Sequence, residues 1–179
     1  LNVYIEIFRG TPMIVQSMVI FYGSAQAFNI SLDRTWAAIF IVSINTGAYM
    51  SEIVRGGILA VDTGQFEAAT ALGMTHGQTM RKVVLPQVVR NILPATGNEF
   101  VINIKDTSVL NVISVVELYF TGNTVATQNY QYFPTFTIIA VIYFILTFTI
   151  TRILRYIERR LDSDTYTTGA NQMQVKEVK

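Results

Sequence analysis

The chain has no cysteine, one histidine, one tryptophan and four prolines in 179 residues. Without thiols there is no disulfide and no cysteine nucleophile or thiolate metal ligand. Charge is also scarce: 14% of residues are charged, where soluble domains carry about 25%. The net charge of +1 leaves no broad electrostatic footprint for nucleic acid. Several catalytic patterns are missing. There is no Gly-x4-Gly-Lys-Ser/Thr phosphate loop, no His-Glu-x-x-His and no Gly-x-Ser-x-Gly, so nucleotide hydrolysis, zinc proteolysis and serine hydrolysis lack their usual groups. The first residues show no basic stretch ahead of a short apolar core, the pattern of a signal peptide. No internal repeat or low-complexity tract is evident.

The missing charges leave long apolar runs. Gly10 to Leu32, Thr35 to Ser51 and Leu118 to Thr151 contain no Asp, Glu, Lys or Arg. A membrane-crossing helix needs about 20 mainly apolar residues, and each run can host one. A soluble protein of this size has too small a core to hide all three. The first span is expected from about Pro12 to Ala27, with Thr11 as N-cap and Pro12 at the first helical position. Glu6 and Arg9, three apart, share a helix face before it. The second span is expected from Thr35 to Ile53, with Trp36 as an interface anchor. Its Asn45, Thr46 and Gly47 suit close helix packing, and Glu52 and Arg55 are spaced for a local salt bridge. A third apolar region begins near Val88, passes Pro94 and Gly97, meets Glu99, Lys105 and Asp106, and resumes as "TSVLNVISVV". The fourth span is expected from Pro134 to Ile153, followed by "RILRYIERRL" at the level of lipid headgroups. The polar tail at 162–179 is expected to be disordered.

Lys and Arg are distributed unevenly. Val54 to Arg90 carries four and the chain from Arg152 onward carries six, whereas "TGNTVATQNYQY", read as a loop between the last two spans, carries none. By the positive-inside rule the 54–90 region and the C-terminus face the cytoplasm. Arg9 then falls inside, Arg34 outside and Lys105 within the membrane. The fold class is therefore an all-α, polytopic membrane helix bundle with four visible spans.

The stretch "EAATALGMTHGQTMRKVVLPQ" at 67–87 is more elaborate than a connection between spans needs. Gly64 is in place to cap a first helix, with Glu67 near its positive end. Ala68, Ala69 and Leu72 make a smooth face, and Gly73 ends the helix. Thr75 with Gln78 three residues later is a capping-box pattern that starts a second helix. This second helix is expected to run to Leu85 and to stop or bend at Pro86. Two short helices joined at a glycine form a rigid knob suited to docking another protein. His76 lies in the exposed knob, so metal or catalytic use is not expected.

The spacing Glu67-Ala68-Ala69, Gly73, Val83, Leu85-Pro86 resembles the EAA loop of ABC importer permeases; Val83 stands where the family usually has Ile. "YIEIFRGTPMIVQ", "NTGAYMSEIVRGGI" and "GNEFVINIKDTSVL" are similar to the polar amino-acid uptake branch (glutamine, histidine and arginine type) of these permeases. The resemblance implies a type I ABC importer transmembrane domain over 1–161, with a coupling loop at 62–87. The family has about five spans, so its first helix is expected to be missing from this chain. The resemblance also implies a non-catalytic subunit without cofactor, in a bacterial cell membrane. Its expected partners are two copies of an ABC ATPase, a second permease subunit (identical or not), an extracytoplasmic binding protein and an amino-acid substrate.

Glu99, Lys105 and Asp106 are costly at membrane depth and need partners or a wet cavity. One reading is a buried ion-pair network. The other is a substrate pathway, in which Glu99 meets an ammonium and Lys105, Thr107 and Ser108 meet a carboxylate. The competing functions are a channel or structural membrane protein without ATPase coupling, and an intramembrane enzyme, for which no catalytic set is present.

Overall fold

The structure is a computed structural model that describes the backbone of residues 1–177 and the side chains of residues 1–160. The described residues form helices and turns, with no strand. Eight α-helices follow in order: α1 Asn2–Gly10, α2 Met13–Phe28, α3 Arg34–Leu59, α4 Thr63–Ala71, α5 His76–Thr79, α6 Leu85–Asp106, α7 Leu118–Asn129 and α8 Tyr132–Glu177. A π-turn at Met80–Val84 joins α5 to α6, and a 3-10 segment at Thr107–Ile113 follows α6. By length and composition, α3 and the Tyr132–Arg160 part of α8 suffice to cross a membrane. A third crossing is available if His76–Ile113 and Leu118–Asn129, bent by 55°, are one broken span. The 16 residues of α2 reach about 24 Å, short of a 30 Å hydrocarbon core.

The elements depart from the sequence reading in four places. Pro12, not Thr11, is the N-cap of α2, and the Thr11 hydroxyl closes α1 by donating to the Ile7 carbonyl at 2.7 Å. α6 continues through Pro94, so the third region is helical up to Asp106 and breaks only after it. The stretch read as a loop at 121–132 is largely α7, started by the Glu117 carboxylate, which accepts from the backbone N–H groups of Tyr119 (2.7 Å) and Phe120 (2.6 Å). Finally, α8 extends to Glu177 where a disordered tail is expected from 162; the side chains there, and residues 178 and 179, lie outside the described residues.

The chain divides into two compact units. The first comprises Leu1–Glu52 and Glu99–Thr149. Its apolar core joins Ala37, Ala38 and Ile41 of α3 to Leu110 and Ile113 of the 3-10 segment, with Ile20 and Phe21 of α2 against them. Small residues on α3 let the 3-10 segment approach. Gly122 on α7 allows a similar approach: a Cβ there would lie 1.9 Å from Ile139 Cδ1 of α8.

A polar knot in this unit ties α1 to the two helices after it. Gln16, buried in α2, donates from Nε2 to the carbonyls of Phe8 (2.9 Å) and Thr11 (2.8 Å). Its Oε1 accepts from Asn45 Nδ2 of α3 at 2.9 Å. Tyr4 donates to the Ile44 carbonyl, and Arg9 pairs with Glu52 at 3.5 Å while lying over the Tyr49 ring. The carbonyls of Phe8 and Thr11 lie at the α1–α2 break, where the Gln16 amide supplies donors that the interrupted helix does not. Gln16→Met keeps the shape and removes these bonds. It is expected to destabilise by about 1–3 kcal/mol, read as a lower thermal midpoint in detergent; an unchanged midpoint would mean the knot is not structural.

The second unit comprises Ile53–Asn98 and the chain from Ile150. Val61, Val84 and Val88 form its core, with Ile58, Phe66, Met80 and Ile92 packed around them. Gly57 of α3 lets α6 come close; a Cβ there would lie 2.2 Å from Ile92 Cγ2. Gly97 of α6 faces Leu154 and Glu158 of α8.

Candidate functional site

The knob at 62–87 is built from local signals. Asp62 rather than Gly64 is the N-cap of α4, its carboxylate accepting from Gly64 N–H at 2.6 Å. An Asp side chain satisfies an orphan donor where glycine has none to offer. The helix ends in a Schellman closure. Gly73 N–H donates to the Thr70 carbonyl (2.9 Å) and Met74 N–H to the Ala69 carbonyl (3.0 Å). Gly73 has φ +73°, the left-handed conformation that this closure requires and that L side chains resist. The capping box at Thr75 is complete: Gln78 N–H donates to Thr75 Oγ1 at 3.4 Å, and Gln78 Oε1 accepts from Thr75 N–H at 2.9 Å.

Pro86 does not stop the second helix. Leu85 N–H donates to the Met80 carbonyl, five residues back, and α6 starts at Leu85. A proline ring collides with the carbonyl four residues earlier and removes one N–H. The wider π-turn ahead of Pro86 relieves that clash, so α5, the π-turn and α6 follow without a gap.

α4 packs against α5 and the π-turn. Glu67, Ala68, Leu72, Gly73, Leu85 and Pro86 are exposed and Val83 is half-buried. Ala69 is buried, so it supports the knob from within and does not contribute to the smooth outer face expected of it. Leu72 is 81% exposed and stands at the tip beside Gly73.

The charged segment has a different character. Glu99 and Asp106 both lie on α6, seven residues apart and therefore on one face. Glu99 is half-buried; Lys105 and Asp106 are exposed. Among the described residues Lys105 forms no ion pair with either carboxylate, and Glu99 has no hydrogen-bond partner. Among the described residues, then, these three groups form no ion pair with one another. Thr107 donates its hydroxyl to the Ile104 carbonyl at 2.9 Å, and Ser108 is half-buried. Asn103, overlooked in the sequence reading, lies between the two carboxylates on the same face, at offsets of four and three. Its Oδ1 accepts from Thr46 Oγ1 of α3 at 3.1 Å. The spacing Glu99, Asn103, Asp106 was the available signal.

Residues 1–163 match the family described as binding-protein-dependent transport system inner membrane component. The chain belongs to this family. It is 42% identical over 160 residues to the glutamine transport system permease protein of Escherichia coli, covering 89% of this chain and 73% of that protein. The arginine transport system permease protein of Bacillus subtilis is 37% identical over 161 residues, covering 90% and 74%. The L-cystine transport system permease protein of the same organism is 42% identical over 162 residues, covering 90% and 69%. Among solved structures, an amino acid ABC transporter with histidines matches at TM-score 0.84 and 43% identity, over 89% of this chain and 74% of that one. An inward-facing methionine ABC transporter matches at TM-score 0.76 and 21% identity over 89% and 73%, which bears on the fold alone. The fold is that of an ABC importer transmembrane domain, all-α and built of membrane helices.

Proposed function

We propose that the chain is the membrane-spanning permease subunit of an ATP-driven amino-acid importer. It forms part of the translocation pathway and couples to a separate ATPase through the knob at 62–87. The knob itself carries this reading: a rigid, doubly capped pair of helices closed at Gly73, with Leu72 and Leu85 exposed and no need of such elaboration as a mere connection. The glutamine, arginine and cystine permeases to which the chain is similar support an amino-acid substrate. The partners are two ATPase copies, a second permease subunit and an extracytoplasmic binding protein. Glu67, Ala68, Gly73, Val83, Leu85 and Pro86 serve the ATPase contact, with Ala69 supporting it from beneath. Glu99, Lys105, Asp106, Thr107 and Ser108 lie along the pathway. Among the described residues Glu99 and Asp106 have no ion partner, which leaves them to a polar pathway or a substrate ammonium.

The knob and the C-terminus are placed in the cytoplasm of a bacterial cell, and α7 toward the outside. The absence of cysteine allows a direct test with single cysteines and a membrane-impermeant thiol reagent. Gly77→Cys is expected to label only after the membrane is opened, and Gln128→Cys in intact spheroplasts. Both sites are exposed. Labelling of Gly77→Cys in intact spheroplasts would overturn the coupling role along with the orientation. Copurification of an ATPase separates the importer from a channel or a purely structural membrane protein.

A further inference from the structure

We propose that Thr46 of α3 is a positioning residue for the substrate pathway. Its hydroxyl holds the Asn103 side-chain amide so that the two N–H donors, and not the oxygen, are presented beside Glu99 and Asp106 to the carboxylate of an amino-acid substrate. This rests on the reading of the charged segment of α6 as the pathway, and adds to it a donor and the residue that aims that donor. The bond departs from what other hydroxyls of α3 do. Ser43 and Ser51 donate back to carbonyls four residues earlier, those of Ile39 (2.6 Å) and Gly47 (2.7 Å). Thr46 instead donates across to Asn103 Oδ1 at 3.1 Å. Both residues are half-buried and belong to the first compact unit.

With its oxygen occupied, Asn103 is left with two N–H groups to offer, and these have no acceptor among the described residues. Electrostatics favours the same orientation. Glu99, one turn before, and Asp106, one turn after, attract the positive N–H end of the amide and repel its oxygen. An α-amino acid carries its ammonium and carboxylate on one carbon, so its site needs an acceptor and a donor side by side. Glu99 and Asn103, four apart, and Asn103 and Asp106, three apart, are such neighbours, with about 5–6 Å between their Cβ atoms. The other donors of the segment are placed less well. Lys105 lies about 200° around the helix from Asn103, and the Thr107 hydroxyl is engaged by the Ile104 carbonyl. The two ends of an asparagine amide are nearly equal in shape, and its last torsion is broad and roughly two-fold. Without the Thr46 hydroxyl the amide is free to turn over and present an oxygen, which repels a carboxylate.

The test uses the transporter reconstituted with its ATPase and binding protein. The probe is whichever of L-glutamine, L-arginine and L-cystine it imports fastest; import of none of them overturns the amino-acid reading and the proposal with it. Binding of the probe and of the amine that lacks its carboxylate (γ-aminobutyramide, agmatine or cystamine) is then measured on the same transporter without binding protein or nucleotide. The wild type is expected to prefer the amino acid, and a wild type without preference overturns the proposal. Thr46→Val keeps the shape and removes the donor. It is expected to weaken binding of the amino acid about tenfold, the effect of loosening one charge-assisted hydrogen bond, and to leave the amine unchanged. Thr46→Ser restores the hydroxyl and should keep the preference. In an Asn103→Ala background the preference should be lost, and Thr46→Val should then add nothing. Glu99→Gln should weaken amino acid and amine alike, so a pathway misplaced on α6 shows itself as a silent Glu99→Gln, separately from Thr46. A Thr46→Val that loses both ligands equally overturns the proposal, because a bond that only packs helices does not tell them apart; so does one that binds both like the wild type. If Thr46→Val fails to insert, Asn103→Ala decides: a preference retained there overturns the positioning role.

Discussion

Gly73→Val is expected to leave the protein in the membrane but to abolish most of its stimulation of ATP hydrolysis. The reason lies in the backbone. Gly73 holds φ at +73°, and a Cβ there would meet nothing within 4 Å, so space is not limiting. The cost is conformational: a left-handed L-residue costs roughly 1–2 kcal/mol, and a β-branched one more. A penalty of about 2 kcal/mol lowers the closed-to-open ratio of the knob about thirtyfold. Local loss of the Schellman closure frees the Ala69 and Thr70 carbonyls and lets α4 swing relative to α5. Helices of the spans are untouched, so yield and insertion should persist. Gly73→Asn is the control, since asparagine tolerates the left-handed region; it should retain copurification with the ATPase and most of the stimulated hydrolysis. Valine and asparagine variants that behave alike would show that knob geometry is not what couples.

Glu99→Gln is expected to weaken transport ten- to a hundredfold in apparent affinity while changing thermal stability little. Glu99 lies on α6 with Asn103 and Asp106 on the same face, and among the described residues it pairs with no cation. Removing its charge therefore strands no ammonium among the described residues, and the 3–5 kcal/mol penalty of a broken buried pair is not expected. The loss of a charge-assisted hydrogen bond to a substrate nitrogen costs about 1.5–3 kcal/mol. Reconstituted transport and thermal melting in detergent measure the two effects separately. A variant that melts markedly earlier, yet transports with normal apparent affinity in its folded fraction, would remove Glu99 from the pathway.

Much of this architecture could be read from the chain because lipid imposes a coarse filter. The charge-free runs mark α2, α3 and α8 directly. Local backbone signals were equally legible, for the Thr75–Gln78 capping box and Gly73 depend on neighbours within a few residues. What escaped depends on distant partners or on a change of helical pitch. "TGNTVATQN" has no apolar periodicity; α7 exists because Glu117 caps it and Gly122 lets it sit against Ile139. The Gln16–Asn45 bond joins residues 29 apart, and no pattern in either segment announces it. Pro86 looked like a terminator because the standard rule presumes an α-helical turn before it. Asp62 displaced Gly64 as the cap because its carboxylate accepts from the Gly64 N–H, whereas a glycine cap brings no side-chain acceptor for an orphan donor.

The π-turn at Met80–Val84 has a consequence for direction. Each residue of an α-helix advances the chain by about 100° around the axis. A turn closed over five residues instead of four accommodates one more residue in the same rise. Everything beyond it is thus rephased by roughly a quarter of a revolution relative to a plain helix. The azimuth at which α4 and α5 stand around the axis of α6 is set by this single surplus residue, much as the cut of a key sets which wards it clears. A chain that shortened or lengthened 80–84 by one position would keep the same knob, with the same caps and the same glycine, and point it elsewhere.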